Sequence, residues 1–77
     1  MSNTPHELHE EFPAKAEVIH TLRNSDEHFR KLADSYHDVN RALHRAETRV
    51  DTISEEEESR LRRLRLSLKD QIAKALA

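Results

Sequence analysis

Apolar residues recur at alternating spacings of three and four through the middle of this chain, which is the heptad pattern of a helix that packs along one seam. Eight residues follow it: Phe29, Leu32, Tyr36, Val39, Leu43, Ala46, Val50 and Ile53. The chain has no glycine, and its two prolines are Pro5 and Pro13. No strong helix breaker therefore interrupts the sequence after Pro13, and the pattern predicts an all-α protein.

The first part of the chain predicts short helical segments. Thr4 is a suitable N-cap, Pro5 suits a first helical position, and Glu7 stands where it reaches back to the cap. Pro13 disfavours helical geometry before it, so we expect a break there and a second segment over about 14–23.

Ser25 is the expected N-cap of the long helix, because acidic residues follow it and favour the positive end of a helix dipole. The end of that helix is marked by a second start signal. Ser54 followed by Glu57 reads as a capping box, and the acidic run 55–58 suits a new helix N-terminus. The sequence therefore predicts a turn near 52–54, since continuing the same apolar frame beyond Ile53 gives a largely polar face that cannot form a seam.

A reversal at this turn brings apolar residues opposite one another. Positions whose numbers sum to about 107 would face each other in such a hairpin. The expected layers pair Ala46 with Leu61, Leu43 with Leu64, Val39 with Leu68, and Tyr36 with Ile72. We therefore predict an antiparallel, coiled-coil-like helical hairpin. The chain forms one domain, 1–77, with an N-terminal segment 1–24, a first long helix 25–52 and a second long helix 55–76.

Composition argues against several classes of function. The 77 residues carry 15 acidic and 13 basic side chains and a formal net charge of -2, so the chain is not a strongly charged nucleic-acid tail. The absence of cysteine removes disulfides, thiolate catalysis and the commonest zinc sites. No signal peptide or membrane span is expected, because the apolar stretches are short. A thin hairpin without glycine loops offers no enclosed site, so we expect no enzyme, cofactor or small-molecule substrate.

Some apolar residues are left uncovered by a two-helix hairpin. Phe29 would lie opposite the end of the chain, and Leu66 is rotated more than a hundred degrees from the rest of its seam. Either the N-terminal segment, through residues such as Leu8 and Phe12, or a second chain would cover them. We expect three or four helices in the final particle, and hence a homo-oligomer forming a multi-helix bundle. Leu8, Phe12, Phe29 and Leu66 are the candidate interaction residues.

Two sets of side chains suggest more specific sites. His6 with His9, and His37 with His44, share helix faces in the predicted arrangement. A metal site is disfavoured, because these positions map to the solvent side or the N-terminus and no known ligand motif is present. Arginines at four-residue spacing invite a nucleic-acid interpretation: Arg41, Arg45 and Arg49. Neighbouring acids and scarce aromatic residues favour an ion-paired, solvated face instead.

Segments spread over nearly the whole chain resemble the YdcH-like family of small bacterial proteins. They are His6–Pro13 (HELHEEFP), His28 with Phe29, Leu32, Tyr36, Arg45 with Glu47, Leu64–Asp70 (LRLSLKD) and Ile72. The resemblance implies a bacterial, cytoplasmic protein with two long helices joined near Ser54. Because members of that family are of unknown function, it carries over no catalytic or binding residue. It also marks His6–Pro13 as a candidate docking segment, unless Leu8 and Phe12 only fasten it to the hairpin.

These observations favour a small non-catalytic helical protein that acts by self-association and through exposed helix faces, as an interaction or scaffolding module. A further, unidentified protein partner fits the same interpretation, and no membrane contact is expected. The alternative is a nucleic-acid-associated regulator that uses the arginines at four-residue spacing and a second set near the start of the last helix: Arg60, Arg62, Arg63 and Arg65.

Overall fold

A computed structural model of the chain describes residues 6–48 and 52–77. Its helices are α1 (Leu8–Glu11), α2 (Ala16–Ser25), α3 (Glu27–Glu47) and α4 (Glu55–Leu76), with a 3₁₀ turn at Pro13–Lys15. All regular structure in the described ranges is helical, so the all-α prediction is confirmed. The molecule measures 36 × 27 × 18 Å, and the longest dimension matches the roughly 33 Å length expected for α4.

The N-terminal segment breaks at Pro13, as its sequence predicts. α1 is one turn long, and the 3₁₀ turn leads from it into α2. The predicted cap and first helical position, Thr4 and Pro5, lie outside the described residues. The expectation that His6 belongs to the first helix is wrong, because α1 begins only at Leu8 and His6 has a left-handed backbone with φ of 63°.

The N-cap of α3 is Asp26, and the prediction of Ser25 at this position is wrong. Asp26 leaves helical geometry and its carboxylate accepts a hydrogen bond of 3.1 Å from the Phe29 amide. Ser25 is the last residue of α2, and its hydroxyl donates to the Thr21 carbonyl at 2.8 Å. Serine and aspartate cap about equally well, so the chain caps at the residue where the direction changes.

The start of α4 confirms the predicted cap. Ser54 has extended geometry, and its hydroxyl accepts a hydrogen bond of 3.0 Å from the Glu57 amide. Four glutamates occupy the first turn, where the helix dipole favours negative charge. α3 ends at Glu47 with Thr48 as C-cap. The residues between them at 49–51, including Arg49 and Val50, lie outside the described ranges.

α3 and α4 pack side by side in opposite directions. Arg62, early in α4, donates to Glu47 at the end of α3 at 3.1 Å. Arg65, one turn later in α4, donates to Asn40, which lies earlier in α3, at 2.9 Å. The residue numbers of one pair sum to slightly more than the expected value of about 107, and those of the other to slightly less. The helices therefore pair in the predicted antiparallel register.

The buried stripe of α3 is displaced from the predicted seam. Ala33 and Asn40 are buried in place of Leu32 and Val39, which are half-buried. This displacement arises because α3 packs against both α4 and α2. Its most buried residues therefore lie between the face that contacts α4 and the face that contacts α2. On α4 the buried residues are Leu61, Leu68, Ile72 and Leu76. Leu64, expected opposite Leu43, is 37% exposed and lies at the edge of the seam.

The N-terminal segment covers the open end of the hairpin. Leu8 and Ile19 belong to the same buried cluster as Phe29 and Ile72, and Phe12 packs against it. Of the two covers considered for Phe29, the structure therefore uses the chain's own N-terminal segment. The buried cluster therefore includes residues of the N-terminal segment as well as of the two long helices.

Candidate interaction surface

A polar cluster joins the N-terminal segment to the hairpin. The Glu7 carboxylate, largely shielded from solvent, accepts hydrogen bonds from His37 Nδ1 at 3.1 and 3.2 Å. It also accepts one from the Asn40 side-chain amide at 3.3 Å. His37 is half-buried, with 45% of its side chain exposed to solvent. The N-terminal segment is thus attached by charge-assisted bonds as well as by apolar packing.

Asn40 extends this cluster across the hairpin seam. Its side chain is 1% exposed, and its carbonyl oxygen accepts a hydrogen bond from Arg65 Nη1 at 2.9 Å. Its amide nitrogen faces Glu7. A buried amide stays stable only when such partners replace the water that it loses. Asn40 therefore links α4 to the N-terminal segment through α3.

Tyr36 makes a second connection to the N-terminal segment. Its hydroxyl donates a hydrogen bond of 2.6 Å to the His6 backbone carbonyl. Burial raises the pKa of the Tyr36 phenol to about 12; the negative charge of Glu11 adds to this rise, whereas Arg65 opposes it. The phenol is therefore neutral at physiological pH and acts as a structural donor.

This cluster was not predicted from the sequence, although one signal was present. Arg65 falls in frame with the buried residues Leu61, Leu68 and Ile72 of α4. A charged residue in an apolar stripe needs a polar partner opposite, and the antiparallel register places Asn40 there. Glu7 gave no comparable signal, because it lies 33 residues from Asn40 in sequence.

The histidines do not assemble into a metal site in the described residues. His6 contacts Glu11 at 2.9 Å, and His9 is well exposed, 4.0 Å from Glu10. His44 lies half-buried on α3. No group of three or more histidine, aspartate or glutamate side chains in the described ranges is arranged to hold a metal ion.

The arginines at the start of α4 are paired with acids. Arg62 bonds Glu58 at 2.7 Å as well as Glu47. Arg60 bonds Glu57 at 2.7 and 2.8 Å. The Arg60 guanidinium lowers the pKa of the Glu57 carboxyl through this hydrogen bond. These acids reduce the positive field that a phosphate backbone would meet.

The α3 arginines lie on the outer side of that helix. Arg41 and Arg45 are both exposed, and Arg45 has an interaction of its own. Arg49, the third member of the set, lies outside the described residues. Two of the three candidate nucleic-acid contacts are therefore accessible to solvent.

The four candidate interaction residues occupy different environments. Leu8 and Phe29 are buried inside the chain and Phe12 is half-buried, so all three serve the core. Leu66 is 60% exposed, on the side of α4 that faces away from α3. Of the four, Leu66 alone exposes most of its apolar surface to solvent.

A shallow groove surrounds Leu66 on this outer face of α4. It is lined by Arg63, Leu66, Ser67, Asp70, Gln71 and Lys74. In the part of the chain that the structure describes, neither Arg63 nor Asp70 forms an ion pair. The groove thus combines one large apolar side chain with opposite charges that are unused within the fold. We call this set of six residues the outer face of α4.

The fold and this surface define a class: a small helical-hairpin protein whose N-terminal segment completes its core. The family model described as "Protein of unknown function (DUF465)" matches residues 29–76, which span α3 and α4. The chain belongs to that family, which is the family of the YdcH-like proteins, so the resemblance seen in the sequence is confirmed. The N-terminal segment lies outside the matched range.

Comparison with curated proteins and with solved structures gave no match. In the described residues no helix is both long enough and apolar enough to cross a membrane.

Proposed function

We propose that this chain is a small non-catalytic interaction protein that works by self-association through the outer face of α4. The observation that carries this proposal is the exposure of Leu66, which is 60% accessible on a helix whose opposite side is buried. The core contains Leu8, Phe29 and Ile72 and closes without Leu66. Covering the exposed part of this side chain would contribute roughly 1 kcal/mol per copy.

The polar cluster supports a non-catalytic role. Its imidazole and its amide both donate to its carboxylate across the contact between the N-terminal segment and the hairpin. Tyr36, whose hydroxyl also bonds the N-terminal segment, holds its proton because burial raises its pKa. The cluster thus supplies no activated nucleophile, which acyl or phosphoryl transfer through a covalent intermediate would need.

Light scattering tests this proposal by measuring the particle mass of the native protein at high micromolar concentration. We expect an assembly larger than one chain, and a single-chain mass for Leu66→Asp with unchanged helical content. Val18→Asp is the matched control, because Val18 is 41% exposed on α2 and its change should leave the mass of the assembly unaltered.

Leu43→Asp supplies the opposite control, since Leu43 is fully buried and a charge there should unfold the chain. A folded single chain for the native sequence, or equal behaviour of Leu66→Asp and Val18→Asp, would contradict the proposal.

A further inference from the structure

We propose that the outer face of α4 receives a second copy of this chain in antiparallel orientation, related by a two-fold axis that passes between Leu66 and Ser67. This inference rests on the proposed self-association and adds the orientation and the contacts.

The groove has the geometry of a socket for one side chain. Arg63, Leu66, Ser67 and Asp70 stand at relative positions 0, 3, 4 and 7 of α4 and line the same depression. These are the four corners of the hole into which a facing helix inserts one residue in knobs-into-holes packing. Leu66 of a second copy is the apolar side chain available to fill it, and the first copy's Leu66 fills the second copy's hole in return.

Charge selects the orientation of the two copies. In the antiparallel arrangement about this axis, Arg63 of each copy lies beside Asp70 of the other, so two opposite-charge pairs form. In a parallel arrangement Arg63 would face Arg63, and Asp70 would face Asp70. Like charges that face each other across an interface are unfavourable. Arg63 and Asp70 have no ion-pair partner within the described chain, so both are available for pairing between copies. The surface is self-complementary only when antiparallel, as a two-fold interface requires.

Charge reversal tests the proposed ion pairs. Arg63→Glu alone, or Asp70→Arg alone, places two like-charge contacts in the assembly, and we expect association to weaken about tenfold or more. The double variant Arg63→Glu with Asp70→Arg restores both pairs in swapped form, and its association should return to within about threefold of the native value. If the double variant is as weak as the sum of the two single changes, the pairing of these residues is wrong.

Single cysteines test the orientation, because the chain has none of its own. Ser67→Cys puts a thiol beside the axis, where two copies bring these positions together. Ser59→Cys is the matched control, since Ser59 is also an exposed serine of α4. In the antiparallel arrangement its counterpart lies about 20 Å away along the helix, beyond disulfide reach.

We expect rapid crosslinking of the Ser67→Cys protein under mild oxidation and none for Ser59→Cys. Crosslinking of both variants would show a parallel pair and overturn the inference. Crosslinking of neither, in a protein whose native mass shows an assembly, would overturn this interface but leave self-association standing. A native chain that remains single would overturn both proposals.

Discussion

The phenol of Tyr36 lies where the hairpin and the N-terminal segment meet, and it donates a hydrogen bond to the backbone carbonyl of His6. The neutral phenol is stabilised in the folded chain, because burial raises its pKa from 10.0 to about 12. An unfolded phenol ionises near its ordinary pKa. The stability due to this difference is therefore present below about pH 10 and is lost as the pH rises towards 12.

We expect the native chain to lose about 2 to 3 kcal/mol of unfolding free energy from this group across that interval. Tyr36→Phe removes the titrating group, so the difference between the two proteins isolates the effect from the titration of lysines. The chain has one tyrosine and no tryptophan, so the absorbance of tyrosinate directly gives the pKa of Tyr36. A phenol that titrates near pH 10 in the folded protein would contradict this expectation.

Asn40 shows where residue-level prediction stops. The apolar ladder selects hydrophobic residues, so it assigned the seam position to Val39 and passed over the buried Asn40 beside it. The partners of Asn40 are Glu7 in a distant segment and Arg65 on another helix. A polar residue becomes a core residue only through such partners, and a single sequence does not show which segments meet.

Of the N-caps of the two long helices, that of α4 was predicted correctly and that of α3 was not. Ser54 caps α4 as expected, since the apolar frame ends at Ile53 directly before it and the glutamates follow directly after it. At the start of α3 two good capping residues stand side by side. The hydroxyl of Ser25 bonds backward into α2, which leaves Asp26 to cap forward.

This difference gives a test with a built-in control. Asp26→Ala removes the acceptor for the Phe29 amide and should lower the free energy of unfolding by about 1 kcal/mol. Ser25→Ala removes only a backward bond to a carbonyl that the helix already uses, so we expect a change within about 0.5 kcal/mol. Urea unfolding followed by circular dichroism measures both. A larger effect at Ser25 than at Asp26 would mean that the cap lies one residue earlier.

The pairing of α3 with α4 was predictable because it depends on local signals: a cap, an acidic first turn and apolar spacing. The exact phase of the seam was not predictable, since it depends on what else packs against α3. With α2 on a second side, Ala33 becomes fully buried while Leu32 stays half-buried. The apolar spacing within one helix does not show whether a second helix packs against it.

At the scale of the molecule, the N-terminal segment is part of the core even though the family match begins at Phe29. The sequence left two covers open for that end of the hairpin, and the structure shows the intramolecular one. Removing the segment to search for partners would therefore expose Phe29 and Tyr36. Loss of a partner could then reflect loss of the fold, so point substitutions are the cleaner experiment.

Leu8→Ala measures how strongly this segment contributes to the whole. Leu8 is buried in the shared cluster, so its truncation should cost about 2 to 4 kcal/mol of unfolding free energy. His9→Ala is the neighbouring control, because His9 is well exposed and its change should have little effect. Thermal unfolding by circular dichroism should show one transition shifted to lower temperature in Leu8→Ala. Two separate transitions, with the hairpin unaffected, would show that the segment folds independently of the hairpin.

The hydrogen bond between Arg65 and Asn40 selects one alignment of α3 with α4. Leucine packs against leucine almost equally well after a slip of one helical turn, so apolar layers alone permit several alignments. A slip of that size would carry the half-buried guanidinium of Arg65 away from its acceptor and opposite Leu43 or Tyr36. Asn40 therefore excludes the slipped states, as a buried asparagine does in a coiled coil, and gives a weakly patterned hairpin a single alignment.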